Sequence, residues 1–424
     1  MSDAKIKAPR GTYDVLGEQA AARTHLEAKA RSILEGAGYE RIETPVFEAT
    51  ELFARGVGQS TDIVRKEMFT FEDQAGRSLT LRPEGTAPVC RAYVEHGMHK
   101  RRQPVKLWYL SSFFRHERAQ AGRFRQFWQV GAEAIGSDDP AVDAELIALL
   151  AALLAEMGVR GLRLRLSSLG SVESRHEYRE HLKTHLRAHE GSLSEDVRSR
   201  IDLNPLRAFD SEDPGTRHVM ESAPLLLEHL DEEDLQHFAH LRELLDVAGI
   251  VYEVDPTLVR GLDYYTRTVF EFTSDALGAQ SGVGGGGRYD GLVAQLGGPR
   301  TPGMGWAAGV ERIMLAGEAG GGGAQPLAPA PVELFLAVDG EDAELRRSAF
   351  GLLSQARSAG LTAQMDLGGR SLKGQLGHAN ALGARYVAIV ASGQTVLKDM
   401  QDGRQETLAP DAVVHAVLRG HHAL

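Results

Sequence analysis

The stretch Val105–Gly136, VKLWYLSSFFRHERAQAGRFRQFWQVGAEAIG, decides the fold. Two apolar, aromatic-rich runs flank a polar loop in which Arg118, Arg123 and Arg125 surround Gly122, the pattern of a long antiparallel hairpin. Side chains alternate across a strand, so Arg115 and Glu117 share one face of the first strand. Phe127, Gln129, Glu133 and Ile135 likewise share a face of the second. If the two faces coincide, one surface carries a cation, two carboxylates, an amide and an aromatic ring, with more arginines at its rim. Burying so many polar groups without partners is unfavourable, so the surface requires a ligand. Arginine's planar fork matches carboxylate and phosphate oxygens, and an aromatic ring suits a base. A charged, solvated hairpin making surface ion pairs is the plainer alternative, and the rest of the chain weighs against it.

The 424 residues suffice for two or three domains, each with its own core. Hydrophobic content of 42% and charged content of 25% are ordinary for a globular protein. The lone Cys90 excludes an intramolecular disulfide and reads as a small buried hydrophobe. The N-terminal MSDAKIKAPRG lacks the apolar run of a signal peptide, which together with the single cysteine predicts a cytoplasmic protein. The longest apolar run, Leu146–Ala155, is too short to span a bilayer and is bracketed by Glu145 and Glu156, so it reads as a core helix and no membrane association is expected. The net charge of −11 argues against indiscriminate nucleic-acid binding and leaves only local patches for it: His99–Arg102 and the Arg118–Arg125 loop.

Upstream of the hairpin, Gln19–Ala37 has helical composition. YERIETPVFE then alternates as a strand with Pro45 inside it, which predicts an edge strand or a break. Met68–Phe71 and Ser78–Leu81 form a hairpin around residues 73–76. LRPEGTAPVCRAYVEHG turns at Pro83 and enters a helix near Thr86, which puts Glu84 and Thr86 at a strand-to-helix corner. There a binding role and a helix-capping role are equally open. Downstream, Asp139–Met157 is a helix opened by Asp-Pro, and Arg163–Leu169 a short strand. Residues 171–249 read as a helical insertion rich in His, Glu and Arg. The strand pattern returns with VDPTLVRGLDYYTRTVFEFTS, SGVGGGGRYDGL and TPGMGWAAGVERIML. Gly282 and Gly284–Gly287 leave the backbone bare for close approach of a ligand. The spacing fits neither a P-loop nor a dinucleotide fingerprint. AGGGGAQPLAPAP has linker composition, and the alternating pattern after it predicts a small α/β domain with a mostly parallel sheet.

In order along the chain, GYERIETPVFE resembles motif 1 of the class II aminoacyl-tRNA synthetases, FRHER with RFRQF resembles motif 2, and GMGWAAGVERI resembles motif 3. LRPEGT, LVRGLDYY and GGGGRYDGL resemble the narrower elements of the histidyl-tRNA synthetase family, and the resemblance covers essentially the whole chain. It departs at Ala119, where the family commonly has proline, and at Gly17, which stands in the place of another. The resemblance implies an α+β catalytic domain on a mostly antiparallel sheet (1–170 and 250–318), a helical insertion (171–249), a linker (319–330) and a C-terminal α/β anticodon-binding domain (331–424). It further implies a cytoplasmic homodimer that uses ATP and Mg2+ to join L-histidine to tRNA(His) through histidyl-adenylate.

Carried over by the same resemblance, Arg115 would grip the α-phosphate and the histidine carboxylate, and Arg260 would stand beside the α-phosphate. These are the two catalytic candidates. Glu84, Thr86 and Gln129 would hold the substrate amino group, while Glu133 and Tyr265, with Tyr264 alongside, would read the imidazole. Glu117 would face the adenine amino group, Phe127 and Arg312 would enclose the ring, and Arg123 would reach the pyrophosphate end of ATP. Gln120 and Arg123 would meet the tRNA. The metal ligands are not legible. Two rivals stand beside this expectation. One is a catalytically inactive, synthetase-like regulatory subunit of ATP phosphoribosyltransferase, against which the intact motif residues and the C-terminal domain argue. The other is a class II enzyme for glycine, threonine or proline, against which Glu133 and Tyr265 argue.

Overall fold

Pro45 cannot donate to a ladder, and the first extended stretch breaks there. After helix α1 (Gly17–Gly36), the chain forms β1 (Glu40–Arg41) and β2 (Phe47–Ala49), which belong to different sheets. The structure is a computed structural model that describes residues 5–58, 61–117, 122–259, 261–278, 281–321 and 331–421. It divides into two compact units, Met1–Pro326 and Leu327–Leu424.

In the first unit, α2 (Thr50–Gly56) precedes β3 (Thr70–Glu72) and β4 (Ser78–Leu81), which complete a three-stranded sheet with β2. Then come α3 (Thr86–Glu95) and the hairpin β5 (Val105–Phe114) and β6 (Gln126–Ile135), paired from Val105↔Ile135 to Phe114↔Gln126. Arg115 and Glu117 lie just past the regular strand rather than within it. One ladder bond continues, from Arg115 N–H to Arg125 O at 3.0 Å. Helix α4 (Pro140–Glu156), capped by the Asp139 side chain, leads to β7 (Leu162–Ser168).

Helices α5 (Val172–Ala188), α6 (Glu195–Arg198), α7 (Pro214–Met220) and α8 (Glu232–Val247) follow. The unit closes with β8 (Glu253–Val254), β9 (Thr266–Ser274), β10 (Gly282–Arg288), α9 (Leu292–Gln295), β11 (Gly303–Gly309) and α10 (Val310–Ala319). The large sheet has eight strands in the order β1-β5-β6-β11-β10-β9-β7-β8; only the β1–β5 and β7–β8 pairings at its edges are parallel.

Alternation sorts the sheet into two faces. Trp108, Val130, Ala132, Ala134, Met304, Trp306 and Ala308 join α1 and α4 in one apolar cluster, which also takes Phe238, Leu241 and Leu245 of α8. Tyr109, Phe113, Ile135 and Val269 lie in the other, with Tyr178, Leu182 and Leu186 of α5. The helical stretch therefore shares its core with both faces of the sheet. Burying those side chains stabilises it by roughly 1.5–3 kcal/mol each before entropy is counted.

The second unit contains β12 (Leu334–Val338), α11 (Ala343–Ser358), β13 (Ala363–Met365), α12 (Leu372–Ala381), β14 (Tyr386–Ala391), β15 (Gln394–Asp399), β16 (Gln405–Leu408) and α13 (Val413–His421). Its sheet order is β13-β12-β14-β15-β16. The β13–β12 and β12–β14 pairings are parallel and the β14–β15 and β15–β16 pairings antiparallel, so β15 alone runs against the other four strands. Residues 392–393 alone connect β14 to β15, and a parallel pairing would need a long crossover.

Candidate functional site

Phe127 and Gln129 of β6, with Ala307 and Gly309 of β11, face a cleft of about 540 Å³, walled also by Arg115, Glu117, Arg123, Phe124, Glu271, Gly282, Gly284, Gly285, Glu311 and Arg312. The expected nucleotide-side residues are thus brought together. Arg115 donates through Nε to Pro83 O at 2.9 Å, and its guanidinium lies 5.3 Å from the centre of the Phe127 ring. Glu117 bridges Arg115 and Arg123 at 3.7 and 3.4 Å. Arg312 donates to Gly282 O at 2.5 Å, and burial with Arg123 nearby lowers its pKa. The Gln129 Oε1 atom is buried without a hydrogen-bond partner among the described residues.

A more deeply buried cluster contains the expected amino-acid-side residues other than Gln129, which lines the main cleft. Glu84 is 4% exposed, and its two oxygens accept the N–H groups of Thr86 and Ala87 at 2.8 and 2.9 Å, capping α3. Tyr264 approaches the same carboxyl at 3.5 Å, and burial raises its pKa. Glu133 is fully buried. Its Oε1 accepts from Thr86 Oγ1 at 2.8 Å and its Oε2 from the Tyr289 hydroxyl at 2.6 Å. Burial pushes the Glu133 carboxyl up to about 8, opposed by the two hydroxyl donors and assisted by the charge of Glu84. Room for that carboxyl comes from Gly305, its cross-strand partner on β11, where a Cβ would stand 1.7 Å from Glu133 Oε2. Tyr264 and Tyr265 are buried edge to face, with ring centres 4.8 Å apart.

Arg118, Gln120 and Arg260 lie outside the described residues. Val259 and Gly261, which flank Arg260 in sequence, line a smaller cavity that shares Arg165, Asp210 and Glu271 with the main cleft.

Sequence reasoning missed three contributors. Tyr289 sits inside the quoted GGGGRYDGL, and only its position after the bare strand hinted at a role. Glu311 is the second. Where β11 ends opposite Gln129, its carboxylate takes over the next β6 donor, Trp128 N–H, at 3.1 and 3.2 Å. The third, Arg82, is 3% exposed and binds Ser112 O at 2.8 Å and Thr44 O at 2.6 Å, drawing the break at Pro45 onto the hairpin. No sequence signal marks it, since ion-pair and structural arginines look alike before folding.

Among the described residues, no group of three or more His, Cys, Asp or Glu side chains could hold a metal ion. Within the cleft Glu311 is committed to Trp128, Tyr13 and Arg23, and Glu271 is 3.5 Å from Arg165. Such walls suit a divalent ion that arrives on phosphates and keeps its waters, not a dedicated protein cage. No described helix is long and apolar enough to cross a membrane.

An eight-stranded, mostly antiparallel sheet with an arginine-lined cleft and a flat ring on one face, a strand broken at proline on its edge, and a separate mixed α/β unit define a class II aminoacyl-tRNA synthetase. The family model described as histidyl-tRNA synthetase matches residues 11–313. The histidine–tRNA ligase of Halorhodospira halophila is 47% identical over 427 residues, covering 99% of this chain and 99% of that one. The histidine–tRNA ligase of Rubrobacter xylanophilus is 46% identical over 425 residues, covering 96% of this chain and 98% of that one. Apo histidyl-tRNA synthetase of S. aureus superposes with a TM-score of 0.81 at 36% identity, covering 97% of this chain and 100% of that one. The chain belongs to the histidyl-tRNA synthetase family.

Proposed function

We infer that this chain joins L-histidine to tRNA(His) in two steps, forming histidyl-adenylate from ATP and then transferring histidine to the terminal adenosine. The observation that carries this reading is Glu133, a buried carboxyl held by two hydroxyls at 2.8 and 2.6 Å beside a tyrosine pair and adjoining an arginine-lined cleft. A neutral imidazole presents one donor and one acceptor nitrogen, which a carboxyl and a phenol can match. A pocket built for those two atoms rejects side chains that lack them.

The roles are those the family resemblance implies, and the geometry of the cleft and of the buried cluster supports them for the described residues. Glu133 and Tyr265, with Tyr264 beside them, read the imidazole, and Glu84, Thr86 and Gln129 receive the amino group. Phe127 and Arg312 enclose adenine, whose amino group faces Glu117. Arg123 meets the terminal phosphates. Arg115 and Arg260 stabilise charge at the α-phosphate, the role for which a preorganised guanidinium is suited. The histidine carboxylate, with a pKa of about 3.5, is already ionised at neutral pH and attacks without a general base. Alignment and charge stabilisation by the chain's own side chains then carry the first step. Mg2+ bound to ATP would supply charge neutralisation, with Glu271 on the cleft wall as its protein contact. Gln120 and Arg123 meet the tRNA end, the C-terminal unit reads the anticodon, and the protein works as a cytoplasmic homodimer.

Pyrophosphate exchange measured with each of the twenty amino acids, followed by charging of tRNA(His), tests the reading. Exchange with histidine alone is expected. Exchange with another amino acid, or with none, would overturn it, and the second outcome would favour the inactive regulatory role.

A further inference from the structure

The N-terminal segment before α1 reaches the nucleotide side of the cleft by three routes. Arg125 N–H donates to Gly11 O at 2.8 Å, where the hairpin loop becomes β6. The Tyr13 ring lies 4.5 Å from Phe124, a wall of the cleft. The Tyr13 hydroxyl donates to Glu311 Oε1 at 3.1 Å, and Arg23 of α1 binds both, at 2.8 Å to the hydroxyl and 2.6 Å to the carboxylate. Glu311 in turn receives Trp128 N–H, so one carboxylate joins the segment, α1, β6 and the first turn of α10 beside Arg312. Gly11 has φ +85°, and a Cβ there would stand 2.7 Å from Arg125 Cγ.

We propose that Gly11–Tyr13 is a strap that positions the nucleotide half of the cleft, with Tyr13 as its positioning residue. The strap ties Phe124 on one wall, and the neighbouring Arg125, to Glu311 on the other, and so fixes the separation between the hairpin and the helix that carries Arg312. Loosening either tie leaves the pocket around Glu133 intact, because among the described residues none of the strap's contacts reaches it. The inference rests on the reading that this half of the cleft receives ATP.

The test is direct binding of ATP alone to the full chain by titration calorimetry, for wild type, Tyr13→Phe and Gly11→Ala, with thermal denaturation alongside. Tyr13→Phe removes one hydrogen bond to a charged group, for which about a tenfold weaker ATP Kd is expected. Gly11→Ala is expected to weaken ATP at least as much, since alanine at positive φ also strains the segment. Both variants should keep the wild-type histidine KM in pyrophosphate exchange. An unchanged ATP Kd in both, or a lower melting temperature with unchanged Kd, would reduce the segment to a structural brace. A wild type that binds no ATP overturns the strap. A wild type that binds ATP but exchanges with no amino acid overturns the functional reading alone, and the variants' ATP Kd values still judge the strap.

Discussion

The Tyr289 hydroxyl donates to Glu133 Oε2 at 2.6 Å, so the last turn out of the glycine-rich strand orients the carboxyl buried under the hairpin. Thr86 holds the other oxygen from the first turn of α3. Two separate elements thus fix one carboxyl.

Removing either support of Glu133 should act on histidine and spare ATP. Tyr289→Phe deletes a hydrogen bond to a protonated carboxyl, about 0.5–1.5 kcal/mol, so the histidine KM should rise roughly 2- to 10-fold. Gly305→Ala should have an effect at least as large, because its Cβ would occupy the space of Glu133 Oε2. Pyrophosphate exchange titrated with each substrate separates the cases: a parallel rise in both KM values would mean general damage instead of a displaced carboxyl.

The Glu133 carboxyl also predicts a pH dependence of stability. Its pKa is about 8 in the folded chain and near the ordinary 4.5 when unfolded. Between those values the folded protein retains a proton that the unfolded chain has lost. This contribution is therefore complete below about pH 4.5 and is lost as pH rises towards 8. Urea denaturation across that window should show wild type losing stability more steeply than Glu133→Gln, and parallel slopes would contradict the assignment.

Behind the site, Arg288 and Asp143 are both fully buried and meet at 2.9 Å, with Thr268 Oγ1 donating to the same carboxylate at 2.6 Å. Arg288 also binds Asp290 at 3.0 Å and Ser137 O at 3.0 Å, locking β10 to the start of α4. Arg288→Met strands a buried carboxylate and should destabilise the fold by about 3–5 kcal/mol. A loss below about 1 kcal/mol in urea titration would be the magnitude of an exposed pair and would mean that water reaches the clamp.

Arg260 is the residue proposed to act on the α-phosphate during attack. If its contact strengthens only in the transition state, Arg260→Ala should slow adenylate formation about 10²- to 10³-fold with little change in melting temperature. Transfer from preformed adenylate to tRNA should suffer much less, and lysine should rescue only in part for want of a planar fork. Single-turnover rates of the two half-reactions decide this; near-normal adenylate formation would remove Arg260 from the mechanism.

Local chemistry wrote much of this molecule directly into the sequence. The alternation along Val105–Gly136 alone separates Phe127, Gln129 and Glu133 from Trp128, Val130 and Ala132, because a two-residue period needs no knowledge of the rest of the chain. Pro45 marks its own strand break, and Asp139-Pro140 its own helix start, for equally local reasons. What the sequence could not decide is which distant group satisfies each buried polar atom. Thr86 and Tyr289 lie 47 and 156 residues from Glu133, and Asp143 lies 145 from Arg288. The same holds for Glu84, where the sequence left capping and binding equally open and the fold puts both oxygens on the first turn of α3. It holds as well for residues 172–247, whose helices were legible while the two sheet faces that cover them were not. Periodicity is a property of neighbours in the chain, whereas pairing of buried polar groups is settled only when the sheet closes and brings distant strands to hydrogen-bond distance.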